Sequence, residues 1–121
     1  MINKHKKMYS CPVCNRNTVT LHEIFYGTSN RKISIEYNLQ VPLCPICHYV
    51  SHTRELLNGY SPLTEFRTIE GLNKVMIQTE LCRHLGIDRD KTSLAVNTND
   101  TEYLESISGE CEKKIKSWEI T

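Results

Sequence analysis

The sequence predicts a small α+β domain, stapled near its start by a metal ion and completed by C-terminal helices. Three observations predict it. Two Cys-x-x-Cys pairs, Cys11/Cys14 and Cys44/Cys47, stand 29 residues apart, and each turn aims two thiolates at one tetrahedral ion, so that the two together supply four sulfurs for a closed structural zinc site. Residues 18–26 (Thr-Val-Thr-Leu-His-Glu-Ile-Phe-Tyr) are rich in β-branched and aromatic side chains and read as a strand. Beyond residue 60, apolar residues recur at helical spacing in two long runs.

Size and charge frame the reading. A chain of 121 residues buries only a modest core, which a metal staple reinforces. The domain is expected to comprise a zinc-stabilised unit with a basic N-terminal arm over residues 1–60 and a helical region over residues 61–121 packed on it. Apolar content of 39% and charge of 24% suit a soluble protein, and no apolar run approaches the ~20 residues of a membrane span. The opening residues are polar, without the apolar stretch of a secretory signal, so a cytoplasmic protein with reduced thiols is expected rather than one with two disulfides. The net charge of +1 is unevenly placed. Residues 1–60 hold seven Lys/Arg against three Glu, a net +4, and residues 61–121 hold eight basic against eleven acidic residues, a net −3. A basic half built around a metal site is compatible with a phosphate-bearing partner, whose binding would weaken with salt, and equally with a mixed solvated surface.

Taken in order, residues 1–10, with Lys4, His5, Lys6 and Lys7, read as a mobile basic arm. Pro12 and Pro45 each follow the first Cys of a pair and pre-set the turn. In the strand that follows the first pair, His22 and Glu23 point to opposite faces unless a bulge intervenes. Residues 27–32 form a turn, and residues 33–39 are compatible with a short helix or an irregular link. Val41, Pro42 and Leu43 lead extended into the second pair, because Pro42 removes a donor and biases Val41 away from helix. From Cys47 the chain turns helical to about Leu57, which stacks His48 and His52 on one face. Ser61-Pro62 starts a second helix, with Phe66, Ile69, Leu72, Val75, Met76, Leu81 and Leu85 at helical spacing until Gly86 stops it. Within it Cys82 is a core residue and His84 a surface one. Residues 87–99 read as a loop. Asp100 caps a final helix whose stripe of Leu104, Ile107, Cys111, Ile115 and Trp118 packs on the core or on a second copy of the chain, a homodimer.

By spacing alone, His22 between the pairs and His48/His52 beyond the second can form another metal site, with positions left for water or substrate. Imidazoles with waters hold a divalent ion suited to phosphoryl chemistry.

These residues resemble the HNH endonucleases, also called His-Me finger or ββα-metal nucleases, and most nearly the small phage-type members with a four-cysteine zinc site. The resemblance runs from Cys-Pro-Val-Cys (11–14) through His-Glu-Ile-Phe-Tyr-Gly-Thr-Ser-Asn-Arg-Lys (22–32) to Val-Pro-Leu-Cys-Pro-Ile-Cys-His (41–48) and His52, about a third of the chain. It implies a zinc-stapled ββα-metal unit that hydrolyses DNA with Mg²⁺ or another divalent ion, zinc on Cys11, Cys14, Cys44 and Cys47 being structural. His22 falls on the family's metal-ligand position in the strand, and His48 and His52 match the closing ligands on the helix. Glu23 falls where most members have the histidine that activates water. A carboxylate of ordinary pKa, about 4.3, is a weaker base than imidazole. Three outcomes follow: Glu23 is the base, or His22 is the base and other groups hold the metal, or the protein cuts poorly. Asn30 and Asn38 compete for the family's middle Asn, and Asn30, inside the matching Asn-Arg-Lys segment, is the better match. Arg31, Lys32 and Arg54 would contact backbone phosphates. The alternatives are a zinc-stabilised nucleic-acid-binding module that has lost catalysis, and a protein–protein adaptor that works through its acidic helical half.

Overall fold

A computed structural model describes residues 7–45, 47–48 and 74–120, which form an α+β arrangement of two small antiparallel sheets and four helices. Strand β1 (Met8–Ser10) lies at the centre of the first sheet, between β2 (Asn17–Thr18) and β5 (Glu119–Ile120). Tyr9 stands opposite Thr18 on one side and Glu119 on the other. The Ser10 N–H donates to the Trp118 carbonyl at 2.8 Å, extending the bond between the two ends of the chain. Residues 8–10 therefore do not belong to a mobile arm. One of their two partner strands, β5, lies more than a hundred residues away, a pairing that no local pattern announces. Residues 1–6 lie outside the described residues.

The strand expected over residues 18–26 is two shorter strands in different sheets, β2 and β3 (Leu21–Glu23). The Thr18 hydroxyl breaks it, accepting from the Thr20 N–H at 3.1 Å and donating to the Leu43 carbonyl at 2.9 Å. Local side-chain bonding of this kind competes with the sheet ladder. Strand β3 then pairs with β4 (Gln40–Pro42), His22 opposite Val41 and Glu23 opposite Gln40. Pro42 is tolerated because it ends the strand, and the ladder resumes where Leu43 N–H donates to Thr20 O at 3.2 Å.

Residues 27–32 are not a turn but the start of α1 (Thr28–Glu36). Gly27, at φ 106°, makes the corner that a residue with a Cβ adopts only with strain. The buried Ser34 then ties the helix to the chain before it, its hydroxyl donating to Phe25 O at 2.7 Å and accepting from Phe25 N–H at 3.3 Å. The helix closes through Asn38, which takes the left-handed conformation (φ 62°) usual at helix ends, while Leu39 N–H returns to Ser34 O at 2.7 Å.

Helices α2 (Lys74–Leu85), α3 (Arg89–Thr98) and α4 (Thr101–Ser117) follow. Helix α2 occupies the second half of the expected span, and residues 62–73 lie outside the described residues. The stretch expected to be a loop is mostly α3. Asp88 caps it, its carboxylate accepting from Lys91 N–H at 2.8 Å, and Asn99 ends it in the left-handed conformation. Asp88 and Asn99 occupy the caps and Asp90 and Asn97 exposed positions, while Thr92, Ala95 and Val96 bury one face at spacings of three and four. Asp100 caps α4 as expected, with Tyr103 N–H donating to it at 3.2 Å. Leu104, Cys111 and Ile115 are buried in the chain's own core, with Ile107 and Trp118 packed against them.

One apolar core draws on both halves of the chain: Ile24, Leu39, Val41 and Leu43 meet Leu81, Leu85, Leu104 and Ile115. A polar clip crosses it. The buried Gln78 of α2 donates to Ile24 O at 3.1 Å and accepts from Arg89 Nε and Nη2 at 3.1 and 2.9 Å. Gln78→Ala removes the side-chain donor to a buried carbonyl and the acceptor of two guanidinium N–H groups. It should lower stability by about 1–3 kcal/mol in urea unfolding, against the few tenths expected of an exposed change.

Candidate metal centre and adjoining cleft

The four paired cysteines converge. Their sulfurs all lie within 4.8 Å of one another, with Cys14 and Cys44 at 3.2 Å, Cys44 and Cys47 at 3.4 Å, and Cys11 and Cys47 at 3.7 Å. A disulfide would need about 2.05 Å, and all six cysteines are free thiols. Zinc–sulfur bonds of about 2.3 Å give a tetrahedron with edges of about 3.8 Å, so the cluster can hold a metal ion such as zinc with small adjustments. Each arm is built locally. In the first, Asn15 turns left-handed (φ 66°), and Cys11 N–H donates to Arg16 O at 2.8 Å. In the second, Pro45 sits at the start of a helical turn in which His48 N–H donates to Cys44 O at 2.9 Å, and Cys47 N–H points at Cys44 Sγ, 3.4 Å away.

Charge explains what an ion would contribute. Hydrogen bonding with Cys47 holds the Cys11 thiol down to about 5, against a burial that would raise it. The hydrogen bond with Cys11, together with burial, drives Cys47 upward, and burial raises Cys14 to about 11. Four sulfurs this close cannot all be thiolates unless a cation sits among them. The two remaining cysteines are different. Cys82 and Cys111 are buried in the core, where desolvation pushes them up to about 12 and 11, and they stay neutral apolar fillers.

Beside the cluster opens a cleft of about 880 Å³. Strand β3, which pairs without a bulge, brings His22 and Glu23 to it from opposite faces, α1 brings Thr28, Arg31, Lys32 and Ile35, and the helical turn that begins at Pro45 brings His48. His22 is 2% exposed, and its ring centroid is 5.2 Å from that of His48, with the rings nearly perpendicular. Two imidazoles sharing one ion at metal–nitrogen distances of about 2.1 Å have centroids about 4.6–5.3 Å apart. Tyr26 is a second ring neighbour of His22, with centroids 6.2 Å apart and the rings tilted. Glu23 accepts from Arg31 Nε at 2.8 Å. The Arg31 side chain is 67% exposed and that of Glu23 only 15%, so the pair runs from the strand outward to the rim.

No protein-family model, curated protein or solved structure matches the chain. The functional reading therefore stands on the cleft itself. Of the residues singled out from the sequence, His22, Glu23, Arg31, Lys32 and His48 line one cleft. Asn30 is on α1 but not among the lining residues. Its rival Asn38 is engaged elsewhere, donating to Ser108 Oγ of α4 at 3.0 Å. His52 and Arg54 lie outside the described residues. Among the described residues, only the four cysteines form a set of three or more donors close enough for one ion. Tyr26, Thr28 and Ile35 were not expected at the cleft. The signal for the latter two is the spacing Thr28, Arg31, Lys32, Ile35, one face of a helix, which is invisible while residues 27–32 are read as a turn. No helix among the described residues is long and apolar enough to cross a membrane.

Proposed function

We propose that the cleft is the active site of a metal-dependent endonuclease of HNH type, acting on DNA, with zinc on Cys11, Cys14, Cys44 and Cys47 as a structural staple. The observation that carries this reading is the juxtaposition of the His22 and His48 imidazoles with the Glu23 carboxylate and the Arg31 and Lys32 cations in one cleft. His22 and His48 are the residues that would hold a divalent ion such as Mg²⁺, with His52 as a further ligand from the sequence pattern. When bound, the ion would stabilise the departing 3′ oxygen as a Lewis acid.

The chain's own groups do the rest. Glu23 takes the proton of the attacking water, its carboxylate oriented by Arg31 as a general base is oriented by a third group. Arg31 and Lys32, exposed on α1, receive the phosphates on either side of the scissile one and fix register without reading sequence. Water adds to phosphorus, the bond to the 3′ oxygen breaks, that oxygen takes a proton from solvent, Glu23 returns its proton to solvent, and the products carry a 5′-phosphate and a 3′-hydroxyl. The Gln78 clip on Ile24, the residue after Glu23, gives the strand a rigid footing.

Zinc-loaded protein incubated with supercoiled plasmid and Mg²⁺ or Mn²⁺ should nick it. DNA ligase should reseal the nicks without end repair, as those termini require. Nicks that resist ligation would exclude this line of attack.

The second reading, a zinc-stabilised module that binds nucleic acid without cutting it, draws on the same ion pair. Arg31 engages one oxygen of the carboxylate that stands where most HNH nucleases place their base histidine. Under that reading plasmid binding persists and no nicks form with either metal.

A further inference from the structure

The cleft is larger and more apolar than phosphate chemistry asks for. Pockets of ~300–1,000 Å³ enclose whole drug-sized ligands, and this one, at about 880 Å³, exceeds what a single phosphodiester occupies. Its lining changes character along α1. Thr28, Arg31 and Lys32 present polar and cationic groups, and Ile35, one turn beyond Arg31 on the same face, presents an aliphatic side chain that is 50% exposed. Tyr26 adds an aromatic ring beside His22, and Leu21 adds further apolar wall.

A duplex offers a cleft its phosphates, its sugars and the edges of its bases, while the apolar faces of those bases stay stacked inside the helix. Only an unpaired base can place its face on a tyrosine ring and an isoleucine. Aromatic stacking of this kind tolerates any sequence, since every base has a π-face, and combines naturally with a cationic track for the backbone.

From this we infer that Tyr26, with Ile35 in the same cleft lining, forms a subsite for an unstacked nucleobase, and that the cleft takes single-stranded or locally unpaired nucleic acid in preference to intact duplex. The inference rests on the nuclease reading for its phosphate track and adds the substrate class. Arg31 and Lys32 hold the backbone, and the base beside the held phosphate turns onto Tyr26.

The test is a binding titration without added Mg²⁺ or Mn²⁺, using a short single-stranded oligonucleotide that carries one 2-aminopurine, and the same sequence as a duplex. The single strand should bind at least about fivefold tighter, with quenching of the 2-aminopurine as it stacks. Tyr26→Leu should lose the quenching and most of the preference, Tyr26→Phe should keep both, and Arg31→Ala should weaken single strand and duplex alike. Zinc content and helical circular dichroism establish that each variant is folded. Equal affinity for the two forms, quenching that survives Tyr26→Leu, or binding of neither form overturns the subsite. The nuclease reading fails separately. Single-strand preference without cleavage leaves the subsite and removes the nuclease, whereas nicking without single-strand preference does the reverse.

Discussion

Cys47→Ser should abolish the cooperative unfolding transition of this protein. The expectation follows from where the sulfurs lie. Cys11, Cys44 and Cys47 are fully buried and belong to the same core as Leu39, Leu43 and Leu81, so their ion would be a packing element as well as a cross-link between chain segments 29 residues apart. Structural zinc contributes about 10–16 kcal/mol of apparent binding free energy in small zinc-folded peptides, and a domain of this size has about 5–15 kcal/mol of stability in all. Replacing one thiolate by a hydroxyl therefore removes a term comparable to the whole. Thermal melts followed by circular dichroism, with zinc content measured on the same samples, should show one bound zinc and a sharp transition in the wild type. They should show little zinc and a broad, non-cooperative melt in Cys47→Ser. Cys82→Ala is the control, because its thiol is buried in the helical part of the core and away from the cluster. It should keep the zinc and the transition, lowering stability by about 1 kcal/mol for the cavity it leaves.

His48→Ala should have the opposite signature, with catalysis lost and the fold kept. His48 is half-buried, directs its ring at His22 and follows the last cysteine ligand without being one. Removing groups that merely support a metal ligand commonly costs 10–100-fold in metal affinity or activity, so loss of a ligand should lower the nicking rate by at least about 100-fold. Glu23→Ala should cost about 10²–10⁴-fold if the carboxylate is the general base. The two variants separate the roles. Raising Mn²⁺ should recover part of the activity of His48→Ala, whose defect is affinity for the ion, and none of that of Glu23→Ala, whose defect is proton transfer. An equal response of both to metal would move the base role from Glu23 to His22.

What the sequence disclosed follows the range of the interactions concerned. The four-cysteine cluster was legible because a Cys-x-x-Cys turn is a local device, and its spacing alone implies convergence on one ion. The cap at Asp100 and the stripe of α4 were legible for the same reason. Three elements were not. Helix α1 lacks a side-chain cap and starts from Gly27, so its first turn resembles a loop, and what holds it is the Ser34 hydroxyl on Phe25, a tertiary contact. Helix α3 is short and polar, and its buried face of Thr92, Ala95 and Val96 is too small and weakly apolar to register as a stripe. Strand β1 depends on β5 at the far end of the chain. At the cleft, the histidines and cations were legible as residue types in a spacing, whereas Tyr26 and Ile35 became visible only once α1 was folded against β3.

The most direct test of the account is the nicking of supercoiled plasmid by equal amounts of zinc-loaded wild-type protein and His48→Ala, each with Mn²⁺. Nicking by the wild type, at least about 100-fold slower in the variant at matched zinc content and matched melting temperature, is the predicted result. Equal nicking by the two proteins, or none by a folded and zinc-loaded wild type, would contradict the assignment of the cleft as a nuclease site.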